Sequence, residues 1–171
     1  WTTNHEIVQH IEEMDYVFKH WQPGAQTKSG QSTFGIQSKM IQKIAYIYFK
    51  MGGTVVTGTD TPAGIFTYPG LALHRELQLF VEAGFTPLEA LQQATMNAAK
   101  ALKINNLGEL KEDYIADILV LDEDPLRQIE NTLTIERIVK DGSLYSMKEL
   151  LDSIPTEQEM LKYVEELQKL F

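Results

Sequence analysis

Three observations predict an α/β fold for this chain. Apolar residues recur at helical spacing up to a glycine pair, Gly52-Gly53; the short β-branched run Thr54-Val55-Val56-Thr57 follows; and that run leads at once into the polar stretch Gly58-Thr59-Asp60-Thr61-Pro62. A helix, a glycine stop, a buried strand and a polar loop in succession make up the repeating unit of α/β proteins.

The elements follow in order. Asn4 caps a predicted helix whose apolar positions Ile7, Val8, Ile11, Met14, Val17, Phe18 and Trp21 share one face until Pro23-Gly24 ends it. Residues 22–34 are rich in Gln, Ser, Thr and Gly without an apolar period, which predicts an exposed loop. A second helix places Ile36, Met40, Ile41, Ile44, Ile47, Tyr48 and Met51 inward and stops at Gly52-Gly53. The strand 54–57 comes next. A further helix carries Leu73, Leu77, Phe80 and Val81 and ends at Gly84. Thr86-Pro87-Leu88-Glu89 then restarts helical structure with Thr86 as cap, Pro87 in the first turn and Glu89 reaching back. That helix continues through Leu91, Ala94, Ala98 and Leu102, small residues at helical spacing suiting close packing. Two strands are predicted at 116–121 and 135–140, with turns at Asp122-Glu123-Asp124-Pro125 and Asp141-Gly142. A last amphipathic helix is capped by Thr156 with Glu159, and places Met160, Val164, Leu167 and Phe171 on one face.

Bulk properties exclude several function classes. The chain has 171 residues, 43% of them hydrophobic, enough for a real core. It has no cysteine, so disulfides and thiolate metal ligation are ruled out, and a reducing, cytoplasmic setting is expected. Its net charge of −9, with 15 scattered Lys and Arg, argues against nucleic acid and anionic membrane as partners. No apolar run approaches the roughly 18 residues of a membrane span. Because the chain opens at Trp1 and runs straight into a helical pattern, the natural N-terminus is expected to lie further upstream.

Asp60 is the first candidate for chemistry. It follows a buried parallel-type strand, and in α/β barrels the C-terminal strand ends form the active-site face. An Asp in a Thr-Asp-Thr-Pro loop also suits a plain turn or cap role, and both readings stand on the residues alone. His74 lies just after this loop and can approach the same cleft. His5 and His10 are five apart, off the i, i+4 spacing that aligns two ligands, and with His20 they read as solvated helix surface. The chain has no glycine-rich phosphate loop, no Gly-x-Ser-x-Gly elbow and no His-Glu-x-x-His. Glu12-Glu13, Glu109 with Glu112, and Glu165-Glu166 read as solvated charge.

From Gly58 to Gly142 the sequence resembles the amidohydrolase superfamily, in the branch that holds imidazolonepropionases and Xaa-Pro-dipeptidase-like enzymes. The resemblance is carried by ordered pieces: Gly58-Thr59-Asp60-Thr61-Pro62; Leu73-His74-Arg75-Glu76-Leu77; the run from Val81 through Gly84, Thr86 and Pro87 to Leu91; and Ala94-Thr95-Met96-Asn97-Ala98-Ala99. Ala116-Asp117-Ile118-Leu119-Val120-Leu121-Asp122 and Val139-Lys140-Asp141-Gly142 complete the series. Each is weak alone; their order and spacing together are specific.

The resemblance implies the C-terminal part of a (β/α)8 TIM-type barrel in residues 1–104, the C-terminal strands of a small composite β-sandwich in 105–145, and a terminal helical segment in 146–171. It implies that Asp60, at the end of the eighth barrel strand, is the catalytic proton shuttle and a metal ligand, with His74 and Thr61 near the substrate. The implied cofactor is a divalent metal, zinc in first place, serving hydrolysis of a C–N bond in a small amide, cyclic amide or dipeptide. Three departures accompany the match. The superfamily's His-x-His of the first strand, the bridging lysine of the fourth and the histidines of the fifth and sixth are absent, and Trp1 falls near the seventh strand. Lys111-Glu112-Asp113-Tyr114 stands where a glycine-containing turn is usual. The chain is therefore expected to be part of a longer enzyme, inactive by itself and without a tight metal site of its own. The rival expectation is a non-catalytic domain of the same fold that self-associates.

Overall fold

The computed structural model describes residues 28–61 and 69–169. The predicted helix at 4–21, with His5, His10 and His20, lies outside them, as do Pro62 and Phe171. The chain divides into two compact units, Trp1–Lys103 and Ile104–Phe171.

In the first unit, helix α1 (Lys28–Lys50) begins inside the stretch expected to be a loop. The Gln, Ser and Thr there are only mildly unfavourable to helix, and continuity with the strongly periodic segment that follows outweighs them. The helix ends as predicted. Gly52 adopts φ +88°, its N–H donates to the Phe49 carbonyl at 2.9 Å, and the Gly53 N–H donates to the Tyr48 carbonyl at 2.9 Å. Such a left-handed turn satisfies the last carbonyls and favours glycine. The inward face is corrected: Gln42, Ala45, Tyr46 and Phe49 are the half-buried positions. Ile36, Met40, Ile44, Ile47 and Tyr48 are exposed, Ile41 at 67% and Met51 at 80%. Spacing identifies an apolar stripe but not its cover, and α1 meets helix α2 (Leu71–Ala83) with the neighbouring stripe.

Helix α2 ends at Gly84 (φ +117°), where a Cβ would lie 3.1 Å from the Tyr46 ring. The next residue, Phe85, is 3% exposed. Its ring centroid lies 4.7 Å from Phe49, 4.8 Å from Phe80 and 5.3 Å from Tyr46, so one aromatic cluster joins α1, α2 and the start of α3 (Pro87–Ala94). The predicted capping box is complete: the Glu89 N–H donates to Thr86 Oγ1 at 3.2 Å, and the Thr86 N–H to Glu89 Oε2 at 2.8 Å. The single helix expected through Leu102 breaks at Thr95 (φ −120°, ψ −96°), and helix α4 (Met96–Ala101) follows. Gln93, buried, spans the break by donating to the Glu89 carbonyl and accepting from Asn97. Leu102, expected in the packed face, is exposed.

The second unit is built on an antiparallel sheet of strands β1 (Ile118–Leu121), β2 (Ile135–Lys140) and β3 (Ser143–Ser146) in that order. Asp141 (φ +49°) and Gly142 (φ +77°) form the tight turn expected of Asp-Gly, and it closes a hairpin whose second strand, β3, the sequence reading lacked. Ile118, Val139 and Leu144 face one way, and Leu119, Ile138 and Tyr145 the other. Both faces are therefore apolar. The 3-10 helix Ile129–Leu133, helix α5 (Met147–Asp152) and helix α6 (Glu157–Gln168) complete the unit. Helix α5 was also absent from the sequence reading, although Ser146 and Glu149 form the same reciprocal cap as Thr156 and Glu159. Met160 and Leu167, expected on one apolar face of this helix, are exposed. Tyr114 donates to the Lys111 carbonyl at 3.2 Å with Asp113 at φ +66°, so an aspartate takes the left-handed position that a glycine-containing turn would supply. This is a mixed α/β structure.

Candidate functional site

The run from Gly53 to Asp60 links α1 to the candidate site. Gly53, Val55, Thr57 and Thr59 are half-buried while Thr54, Val56, Gly58 and Asp60 are exposed, the period-two alternation of an extended chain. It forms no ladder among the described residues, so the predicted strand at 54–57 is extended but not hydrogen-bonded as a strand. A strand is completed by its neighbour, and local sequence cannot supply one.

Asp60 ends this run with φ +54°. That conformation is rare for residues with a Cβ and is tolerated mainly by Asn and Asp. Its carboxylate belongs to an exposed residue. Thr59 Oγ1 lies 2.9 Å from Thr61 Oγ1 and accepts the Thr61 N–H at 3.4 Å, so Asp60 sits at the middle of a short hydroxyl-braced turn. Both sequence readings of Asp60 meet here: it is a turn residue, and the turn presents a carboxylate to solvent. Thr61 shares that turn.

His74 occupies the first turns of α2 and is half-buried. Burial lowers its pKa, favouring the neutral imidazole.

Glu76, to which the sequence reading assigned no role, is tied directly to the candidate turn. Its Oε1 accepts the Gly58 N–H at 2.8 Å, across eighteen positions of sequence. Its Oε2 is buried without a hydrogen-bond partner among the described residues. Burial pushes the carboxyl pKa up, and the Gly58 N–H pulls it back. The residue also lines a cavity of about 400 Å³ between α1 and α2, together with Ile41, Ala45, Leu79, Phe80 and Phe85. A signal was present in the sequence: Glu76 falls on the face of Leu73, Leu77 and Phe80, a carboxylate inside an apolar stripe.

Two other pieces of the resemblance meet in the second unit and act structurally. Asp117 accepts the Asp141 N–H at 2.9 Å and binds Lys140 Nζ at 2.6 Å, and the Gly142 N–H donates to the Ala116 carbonyl at 3.1 Å. Ala116-Asp117 thereby anchors the Asp141-Gly142 hairpin. Lys140 holds the Asp117 carboxyl below its usual range, with the Asp141 N–H adding to the effect.

Among the described residues no group of three or more His, Cys, Asp or Glu is placed to hold a metal ion. One exposed carboxylate is far from the three or four converging ligands of a zinc site, so these residues do not by themselves fit the implied divalent metal. No described helix is long and apolar enough to cross a membrane.

Comparison with known proteins places these features in a family context. Residues 37–145 match the amidohydrolase family. Ochratoxinase from Aspergillus niger is 37% identical over 102 residues, covering 56% of this chain and 20% of the relative. Its crystal structure aligns over 85% of this chain and 36% of its own, with 26% identity and a TM-score of 0.56. A Xaa-Pro dipeptidase crystallised with bound methionine aligns over 69% of this chain and 28% of its own, with 27% identity and a TM-score of 0.57. The 5-methylthioadenosine/S-adenosylhomocysteine deaminase of Caldicellulosiruptor saccharolyticus is 29% identical over 142 residues, covering 71% of this chain and 32% of the relative. The sequence match spans about a fifth of the length of ochratoxinase, and the structural alignment about a third.

Proposed function

Because the chain belongs to the amidohydrolase family, we propose that the whole protein is a metal-dependent hydrolase cleaving a C–N bond in an amide, cyclic amide or dipeptide, with Asp60 carrying the proton. The observation that carries this reading is the family match across residues 37–145, within which Asp60 stands at the end of an extended run, in a left-handed turn that exposes its carboxylate. Hydrolysis adds water to the electrophilic carbon, breaks the C–N bond and leaves a nitrogen in need of a proton. A carboxylate within hydrogen-bond reach can take that proton from the water and return it to the nitrogen.

The proposal extends to a (β/α)8 barrel with a small β-sandwich as the fold of the whole protein, residues 1–104 belonging to the first and 105–145 to the second. His74 and Thr61 are proposed to lie near the substrate. Asp60 is the one proposed ligand, among the described residues, of a divalent metal, zinc in first place. The reading as a non-catalytic domain is less well supported, since the relatives carry the names of enzymes. Substrate identity resides in loops that such barrels vary independently of fold.

Asp60→Asn in the whole protein tests the reading. Asn tolerates positive φ as well as Asp does, so the turn should persist while the proton acceptor is lost. Turnover is expected to fall about 10²–10⁴-fold, the usual cost of losing a general base. A folded Asp60→Asn protein keeping more than about a tenth of wild-type turnover would exclude this role.

A further inference from the structure

We propose that Glu76 is a positioning residue: its carboxylate clamps the Gly58 amide and so fixes the turn from Gly58 to Thr61, and with it the direction of Asp60. The consequence for turnover rests on the proposed role of Asp60.

The first observation is the bond itself, Gly58 N–H to Glu76 Oε1 at 2.8 Å. The acceptor stands on α2, a thirteen-residue helix held at its end by Gly84 and the Phe85 cluster. The donor stands on a run that forms no ladder among the described residues, so Glu76 supplies the anchor a neighbouring strand would otherwise give. A hydrogen bond to a carboxylate is stronger than one between neutral groups, which suits it to holding a loop.

The second observation is what this arrangement costs. Leu79, Phe80 and Phe85 line the cavity together with Glu76, and a methionine there would continue the apolar wall. The structure instead holds a carboxylate whose buried Oε2 has no hydrogen-bond partner among the described residues, an arrangement unfavourable for stability alone. The third is the backbone that follows. Asp60 at φ +54° occupies a sparsely populated region that Asp tolerates, so the direction of its side chain depends on how the backbone just before it is held. Asp60 stands two positions beyond the clamped Gly58. A reacting group displaced by about 1 Å loses on the order of 10²-fold in rate, so a tether this close to Asp60 bears on catalysis without touching substrate.

The test compares Glu76→Gln, which keeps an oxygen acceptor, with Glu76→Met, which keeps length and apolarity but cannot accept. Gly58→Ala is the control, since a Cβ there meets nothing within 4 Å and the N–H remains. Amide hydrogen exchange at Gly58, measured on this chain, reads the clamp without reference to activity. Exchange is expected to quicken about tenfold or more in Glu76→Met and to stay within about threefold of wild type in Glu76→Gln and Gly58→Ala, with the urea midpoint of Glu76→Met not lowered. In the whole protein, kcat should fall about 10–100-fold in Glu76→Met with KM within about threefold, and Glu76→Gln should recover most of it. Unchanged Gly58 exchange in Glu76→Met overturns the clamp. Quickened exchange with unchanged kcat overturns the positioning role, and if Asp60→Asn also stays active, the fault lies in the reading of Asp60.

Discussion

Replacing Phe85 with Ala should separate α1 from α2, and the structure sets the size of the effect. Phe85 is 3% exposed and touches three rings, those of Phe49, Phe80 and Tyr46, at centroid distances of 4.7, 4.8 and 5.3 Å. Truncating a buried Phe costs about 3–5 kcal/mol, the upper end applying where the site cannot collapse. Tyr46, Phe49 and Phe80 are only half-buried, so they have room to close over the gap. The expected cost is therefore about 3 kcal/mol, and at roughly 4–8 °C per kcal/mol for a unit of this size the melting temperature should fall by about 12 °C or more. Phe85→Leu keeps much of the volume and should cost about 1.5 kcal/mol or less. Urea unfolding followed by far-ultraviolet circular dichroism measures both. A loss below about 1 kcal/mol for Phe85→Ala would mean that the aromatic cluster does not hold this helix pair. The consequence reaches Asp60, because the run that carries it leaves the end of α1 and is tied to α2 by Glu76.

Other expectations follow from caps, charges and edges. Thr86→Ala removes the acceptor for the Glu89 N–H and should cost about 1 kcal/mol in the same unfolding assay, whereas Thr86→Ser should cost little. Glu89, Glu149 and Glu159 each accept the backbone N–H of their own cap residue, and this holds their carboxyls below the ordinary 4.5. They bind protons more weakly folded than unfolded, so their stabilisation is complete above pH 4.5 and is lost as pH falls through the lower folded values; urea midpoints between pH 6 and pH 3 should decline accordingly. Glu76 runs the other way, its raised pKa giving stability below pH 4.5 that is lost as pH rises through the folded value. Apolar residues on both faces of the β1-β2-β3 sheet, and the exposed stripe of α1, call for cover from further chain or a second copy. Light scattering of this chain at micromolar concentration should show a dimer or larger, and a clean monomer would contradict that argument.

What the sequence determined by itself is what neighbours along the chain decide. Thr86 with Glu89, and Thr156 with Glu159, close rings over three positions, and Gly52 and Gly84 end their helices through bonds to carbonyls three to five residues back. Asp141-Gly142 turns the chain because those two residues accept positive φ. Membership of the amidohydrolase family was equally legible, since the order and spacing of short motifs need no coordinates. The tertiary structure alone decided which stripe of α1 is covered, because Ile41 and Ala45 have similar claims on sequence and only contact with α2 separates them. It also decided that the run 54–57 is extended without a ladder, and that the helix from Pro87 breaks at Thr95 where Gln93 bridges to Asn97. The bond between Glu76 and Gly58 belongs to the same class. Eighteen residues apart in sequence, the two meet only in the folded chain, and no local pattern encodes that contact.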